Sequence, residues 1–194
     1  MALPHITNSQ AGVNRWDPVH NNLFEVYFTL PEALRAEFGQ DEALITEHVL
    51  SISGLAAVHK TATTGQQKFM GTTRTYIQSG VDDTSAELEV KFSLNLRGDK
   101  GTDNFIYRLF KAWSRLGYDI NTGAKELKKD YVADWLEVKI ANRKGDVYED
   151  VIFKDVMLSD SIDGPNEYTY DNLDAIELTV KFKSDWWTDA DAAA

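Results

Sequence analysis

Catalysis needs a nucleophile, an acid–base pair or a set of metal ligands at fixed spacing, and this chain offers little of any. Its four histidines are His5, His20, His48 and His59. None has a second histidine four residues away, and none carries the His-Glu spacing of a helical zinc hydrolase. His48 in an apolar run and His59 in a polar one read as packing or surface residues. No Gly-x-Ser-x-Gly elbow occurs, so an activated serine is unsupported. The chain has no cysteine, which excludes thiol nucleophiles, thiolate metal sites and disulfides. Arg97-Gly98-Asp99 and Gly98-Asp99-Lys100-Gly101 have the composition of an ordinary strand-to-helix turn, and the latter is too short for a phosphate-binding loop. Adjacent carboxylates such as Asp82-Asp83, and the small basic run from Lys125 to Lys129, read as solvated surface. The expectation is a non-enzymatic protein with no catalytic, cofactor-binding or metal-binding residues and no cofactor.

Composition narrows the class. There are 194 residues, with 20 Lys and Arg against 31 Asp and Glu, for a formal net charge of -11. A nucleic-acid binder displaces counterions from phosphates with a basic surface, and this chain lacks one. With 43% hydrophobic residues it can bury a real core. Phe105, Trp113, Trp135, Trp186 and Trp187 fit core or subunit contacts better than base stacking, which needs a basic groove beside it. Met1–Asn8 shows no basic segment leading into an apolar one, and no run reaches the length of a membrane span. A soluble protein made in the cytosol is expected.

The elements follow from periodicity. After a polar lead-in over 1–21, Phe24, Val26, Phe28 and Leu30 alternate as one face of a strand. Pro31 opens a short helical insert that Gly39 stops. A strand is expected near 44–53. Leu88, Val90, Phe92, Leu94 and Leu96 mark another over 86–96, with Glu87, Glu89, Lys91 and Ser93 on a wet face. Phe105, Leu109, Trp113 and Leu116 recur at helical spacing over 102–117, with Thr102 or Asp103 as cap. Two runs, 135–141 and 147–153, flank Asn142-Arg143-Lys144-Gly145-Asp146, a hairpin signal, and a further run near 156–159 continues the second after a break. A last strand covers 175–183, and the end from Asp189 reads as frayed. The fold class expected is mainly β: an antiparallel sandwich or barrel of six to seven strands, one flanking α-helix and a long extended arm.

That arm is Gly54–Asp83, about thirty residues rich in Thr, Gly, Gln and Lys between two strands. Connections this long are functional or disordered far more often than they are turns.

In this order the elements resemble the major tail tube protein of contractile-tailed bacteriophages, whose fold is similar to the type VI secretion tube protein. The residues that carry the resemblance are Asn22-Leu23-Phe24-Glu25-Val26, Ile52-Ser53-Gly54-Leu55, the arm with Phe69-Met70, Arg74 and Ile77, and the helix with Phe105, Phe110 and Trp113. The terminal strand Ile176–Phe182 running into Asp185-Trp186-Trp187 completes it, so the likeness spans about 22–187. It implies one tube domain over 22–187 between an N-terminal arm (1–21) and a C-terminal tail (188–194). Further implications are homo-hexameric rings that stack, a tail sheath and a tape-measure protein as partners, DNA passing without specific binding, no membrane, and a place in the virion tail. The long arm becomes the loop that reaches the next ring, through Lys60, Thr61, Thr63, Thr64, Gln66, Lys68, Phe69, Met70 and Arg74. Glu87 and Glu89 become lumen-facing charge that repels phosphates. Two other readings stay open: a related baseplate, terminator or secretion-system tube component, and a monomeric β-barrel module that binds a ligand.

Overall fold

Nine strands and four short α-helices follow one another in the computed structural model, which describes residues 23–59, 64–69, 71–77, 85–96, 103–118, 123, 125–159, 162–164 and 176–190. The alternating apolar runs become strands where expected: β1 (Phe24–Phe28), β5 (Ala86–Ser93), β6 (Ala133–Ala141), β7 (Val147–Leu158) and β8 (Glu177–Ser184). With β2 (Val49–Ser53) they form an antiparallel sheet in the order β1-β6-β7-β8-β5-β2, and β9 (Trp186–Asp189) pairs with β7 to make seven strands. Strands β3 (Thr64–Phe69) and β4 (Thr72–Ile77) form a separate two-stranded sheet.

Several boundaries differ from expectation for identifiable reasons. The run expected as a strand from 44 begins as helix α2 (Glu42–Glu47), and β2 starts only at Val49. A short apolar run does not reveal its own period, and here tertiary contacts decide: Ile45 is buried, and the Glu42 carboxylate accepts a 2.7 Å bond from the Leu30 amide at the end of β1. Pro31 does precede a helix, α1 (Glu32–Phe38), which buries Leu34 and Phe38. Helix α3 (Phe105–Leu116) is capped by Asn104, whose side chain accepts from the Tyr107 amide, rather than by Thr102 or Asp103. Thr102 lies outside the described residues, and Asp103 pairs with Arg108 at 2.9 Å. The turn Lys128–Tyr131 forms a small α4, and its Tyr131 carbonyl accepts from the Trp113 indole at 2.9 Å. β9 has no sequence signature: Trp-Trp-Thr-Asp does not alternate, and only Asp185 separates it from β8.

The core is aromatic. Phe110 of α3 stands with its ring 4.8 Å from Phe92 of β5 and 6.0 Å from Phe182 of β8, and Phe28 of β1 reaches the same two rings at 5.8 and 5.6 Å. One helix thus covers the meeting point of both halves of the sheet.

Those halves are set apart by a crease. Along β7, Val151 and Phe153 point inward, but beyond the crease Val156 and Leu158 do, so the inward phase shifts between them. The shift falls at Asp155, the one non-glycine described residue with positive φ, at 53°. The flanking strands shift in the same place. On β6 Leu136 and Val138 are buried, then Ala133; along β8 and β9 the buried positions end at Ser184 and resume at Trp187. The ladder pairs are interrupted at the crease but keep one register across it, from Ala133↔Val156 to Trp135↔Lys154 and from Lys183↔Met157 to Trp186↔Lys154. The register therefore lines up Asp134, Asp155 and Asp185 in one cross-strand row. Cations close the ends of that row: Arg35 of α1 reaches Asp134 at 2.8 Å, and the Lys128 ammonium donates to Asp185. That hydrogen bond is the main cause that lifts Lys128 above the ordinary lysine value, against a smaller opposing effect of burial. The result is two leaves. The first holds β1, β6, β9 and the start of β7; the second holds β2, β5, β8 and the end of β7.

Two backbone positions test this account. A left-handed conformation costs an L residue about 1–2 kcal/mol, less for Asp and nothing for Gly. Asp155→Gly should leave the unfolding free energy from urea titration within about 0.5 kcal/mol of wild type, whereas Asp155→Val should lose about 1–2 kcal/mol. Gly54 leaves β2 with φ +95°, and a Cβ there would lie 2.1 Å from the Glu87 carbonyl oxygen. Gly54→Ala should cost at least about 2 kcal/mol in the same assay.

Candidate assembly surfaces

Sequence reasoning placed function in the long arm, and part of the arm is a hairpin. β3 and β4 pair from Thr64↔Ile77 to Phe69↔Thr72, and Gly71, just before β4, has φ +80°. Among the described strands the hairpin bonds only to itself. Thr64, Gln66 and Lys68 share one face with Thr73 and Thr75, while Arg74 lies on the other with Gln67 and Tyr76. All of these side chains are exposed. The strand pairing thus brings together five of the expected contact residues, Thr64, Gln66, Lys68, Phe69 and Arg74. Lys60, Thr61, Thr63 and Met70 lie outside the described residues. Tyr76, 47% exposed, was not among the expected residues; its place two positions from Arg74 on a strand is the signal that would have found it.

Among the described residues, β1 and β2 stand at the two ends of the strand order, each with one side that pairs with no other strand. Unpaired edge groups are templates for another strand. On β2 the pairing steps from Val49↔Phe92 to Ser51↔Lys91, which leaves Leu50 as a bulge residue, 48% exposed.

The outer faces of the two leaves differ in chemistry. On the first, Tyr27, Trp135, Ile152 and Trp186 lie among charged groups. Tyr27 donates a 2.6 Å bond to Glu25, the main cause that raises its pKa. The Lys139 ammonium stands 3.2 Å from Glu137, 3.9 Å from Asp150 and 5.2 Å from the centre of the Tyr27 ring. Burial is the largest single influence on Lys139 and lowers its pKa, yet the surrounding acidic groups together outweigh it and hold the value up. A cleft of about 510 Å³ opens beside Lys139, between the start of β1 and the β6–β7 hairpin, with Leu23, Phe24 and Val147 as its apolar lining and Arg143 and Lys144 among its cations. That hairpin is the expected one: Asn142 accepts from the amides of Lys144 and Asp146, and Gly145 has φ +89°.

Among the described residues, the outer face of the second leaf carries no aromatic residue. Glu87 lies opposite Lys183, Glu89 opposite Lys181, Lys91 opposite Thr179 and Ser93 opposite Glu177. The Lys183 ammonium is 3.8 Å from the Glu87 carboxylate. A wet face of negative charge was expected here. Instead the β5–β8 pair carries three carboxylates and three ammonium groups, two of each directly opposite one another, with Asp163 bridged to Thr179 at the margin. Lys91 lies on β5 itself, but Lys181 and Lys183 come from β8, a strand far away in the chain, so the local pattern around Glu87 could not show them.

His48 sits in a hydrogen-bond cluster, its Nδ1 3.2 Å from both the Ser93 hydroxyl and the Asn95 amide. Among the described residues no three His, Asp or Glu side chains stand together as metal ligands, and no helix is long and apolar enough to cross a membrane.

No family model matches the sequence, and no curated protein matches it. Solved structures do. The chain is similar to the anti-feeding prophage cap, a tube-terminating cap, with TM-score 0.53 and 13% identity over 90% of this chain and 91% of that one. It is similar to a chain of the PVC sheath–tube complex of an extracellular contractile injection system in the extended state, with TM-score 0.51 and 12% identity over 93% and 95%. It is also similar to the PVC sheath/tube terminator, with TM-score 0.51 and 13% identity over 90% and 98%. At such identities the likeness is one of fold, and it runs nearly the full length of both chains: this protein has the fold of the tube and terminator proteins of contractile injection systems.

Proposed function

We propose that the chain is a non-enzymatic structural subunit of the inner tube of a contractile tail. In this reading residues 22–187 form the tube domain, six copies close a ring, and rings stack into a conduit inside a sheath. DNA and a tape-measure polypeptide pass through it during ejection, and the protein resides in the tail of a virion. The observation that carries the reading is the β3–β4 hairpin, held off a tube-type sheet with its described side chains in solvent. A hairpin of two strands has too little core to be stable alone, so a docking partner gives it a reason to exist. Lys60, Thr61, Thr63, Thr64, Gln66, Lys68, Phe69, Met70 and Arg74 are the residues assigned to the contact with the next ring. The free edges of β1 and β2 suit ring closure, since pairing across copies removes an edge. The second leaf, with its polar outer face, is the better lining for a lumen than the aromatic first leaf.

A second reading has specific support, because two of the similar structures are a cap and a terminator. A terminator would form one ring and stop, whereas a tube subunit would elongate.

Electron microscopy of the purified chain separates these readings. Tubes are expected; single rings alone would favour the terminator, and a monodisperse monomer at high concentration would overturn both. Deletion of 63–73 should leave the melting temperature of the sheet domain nearly unchanged and abolish tubes. Full-length tubes from that variant would remove the arm from the mechanism.

A further inference from the structure

We propose that Glu87 and Glu89 act as masks for Lys183 and Lys181, so that a polyanion moving over the second leaf finds no cation free to hold a phosphate. The inference rests on the reading of this leaf as the conduit lining. It differs from simple repulsion by an acidic wall, because the wall is close to neutral where the chain as a whole carries -11.

Three lysines on one flat sheet face would ordinarily be a nucleic-acid surface. Ammonium groups that neutralise phosphates release condensed counterions, and this sequence-independent term dominates weak DNA binding. On β8, Lys181 and Lys183 are two residues apart, so both project from the same face. Each has a carboxylate opposite it on β5: Glu89 for Lys181 and Glu87 for Lys183, the latter pair 3.8 Å apart. Lys91 faces Thr179 and has Glu89 two residues away on its own strand. A phosphate that reaches Lys183 must therefore also approach Glu87, and the repulsion offsets the attraction. The pairs are exposed, 42% for Lys183 and 76% for Glu87, so they do not lock the side chains. They set the local charge instead.

The arrangement also resolves a conflict that a uniformly acidic face would create. Like charges directly opposite each other weaken a strand pair, whereas opposite charges support it. Alternating signs across β5 and β8 keep the sheet together and leave its surface non-adhesive to phosphate.

The test uses the full chain and a fluorescein-labelled duplex DNA of random sequence, read by anisotropy at about 50 mM and about 200 mM salt. Wild type should show no binding at either. Glu87→Gln with Glu89→Gln, near-isosteric surface changes whose folding a thermal melt checks, should give a saturable anisotropy rise at the lower salt, at protein concentrations where wild type gives none. Its affinity should fall with salt at a log–log slope near -2, the value for about two phosphate contacts. Adding Lys181→Gln and Lys183→Gln to that variant should erase the gain. A folded Glu→Gln variant that stays inert, or wild type that already binds, overturns the mask. Electron microscopy of the same samples keeps the two ideas apart. Tubes with an inert variant sink the mask alone, whereas a chain that never assembles sinks the conduit and the purpose assigned to the mask.

Discussion

Everything in this protein hangs on the crease at Asp155. Three adjacent strands change their inward phase in one row, without gaining or losing a residue relative to one another. A single sheet thereby becomes two leaves, with Phe92 and Phe182 of the second close enough to Phe28 of the first to share one aromatic cluster under α3. Three aspartates share this line, and Arg35 and Lys128 pair with the two at its ends. The cations come from α1 and α4, so these short helices tie the insert after β1 and the turn before β6 to the fold line. The crease is an electrostatic seam as well as a backbone bend.

The regular parts of this design were legible. Strands with one dry face announce themselves by alternation, as Leu88, Val90 and Phe92 do, and a helix with a five-residue buried stripe announces itself by spacing. Gly54 marked the start of the arm, and its positive φ and contact with the Glu87 carbonyl explain why no other residue serves there. What stayed hidden depends on pairing between distant strands. Asp134, Asp155 and Asp185 are unremarkable one at a time and become a row only through register. Glu87 and Glu89 looked like an acidic face because their lysine partners arrive from β8. β9 escaped notice because a strand of four residues takes its identity from the neighbour it pairs with. The start of the run from 44 was read as strand because Leu44 and Ile45 fit either period, and the bond from Leu30 to Glu42 settles the matter.

The surfaces divide by chemistry in a way that suits assembly. The first leaf presents indole and phenol rings interleaved with charges, the composition of faces that bury area against protein. The second presents serine, threonine and paired charges, a composition that resists adhesion. Among the described residues, unpaired edges stand at both ends of the strand order, and the hairpin pairs with none of the sheet's strands. A subunit built this way has different instructions for each direction in which it can meet its surroundings.

The position of Gly54 has a consequence for how such a protein can diversify. The chain leaves β2 just beyond Ser53, which pairs with Glu89 of β5, and it re-enters the sheet three residues earlier on that strand, at Ala86. Both ends of the arm are thus anchored side by side by the sheet itself. Closing a loop between fixed neighbours carries an entropy that grows only with the logarithm of its length, about 0.6 kcal/mol for each doubling. Insertions and deletions in the arm beyond the buried Val58 therefore leave the leaves almost untouched thermodynamically. Reach becomes a property that evolution or a designer can tune independently of foldability, with the sheet as a constant base and the arm as an adjustable gauge.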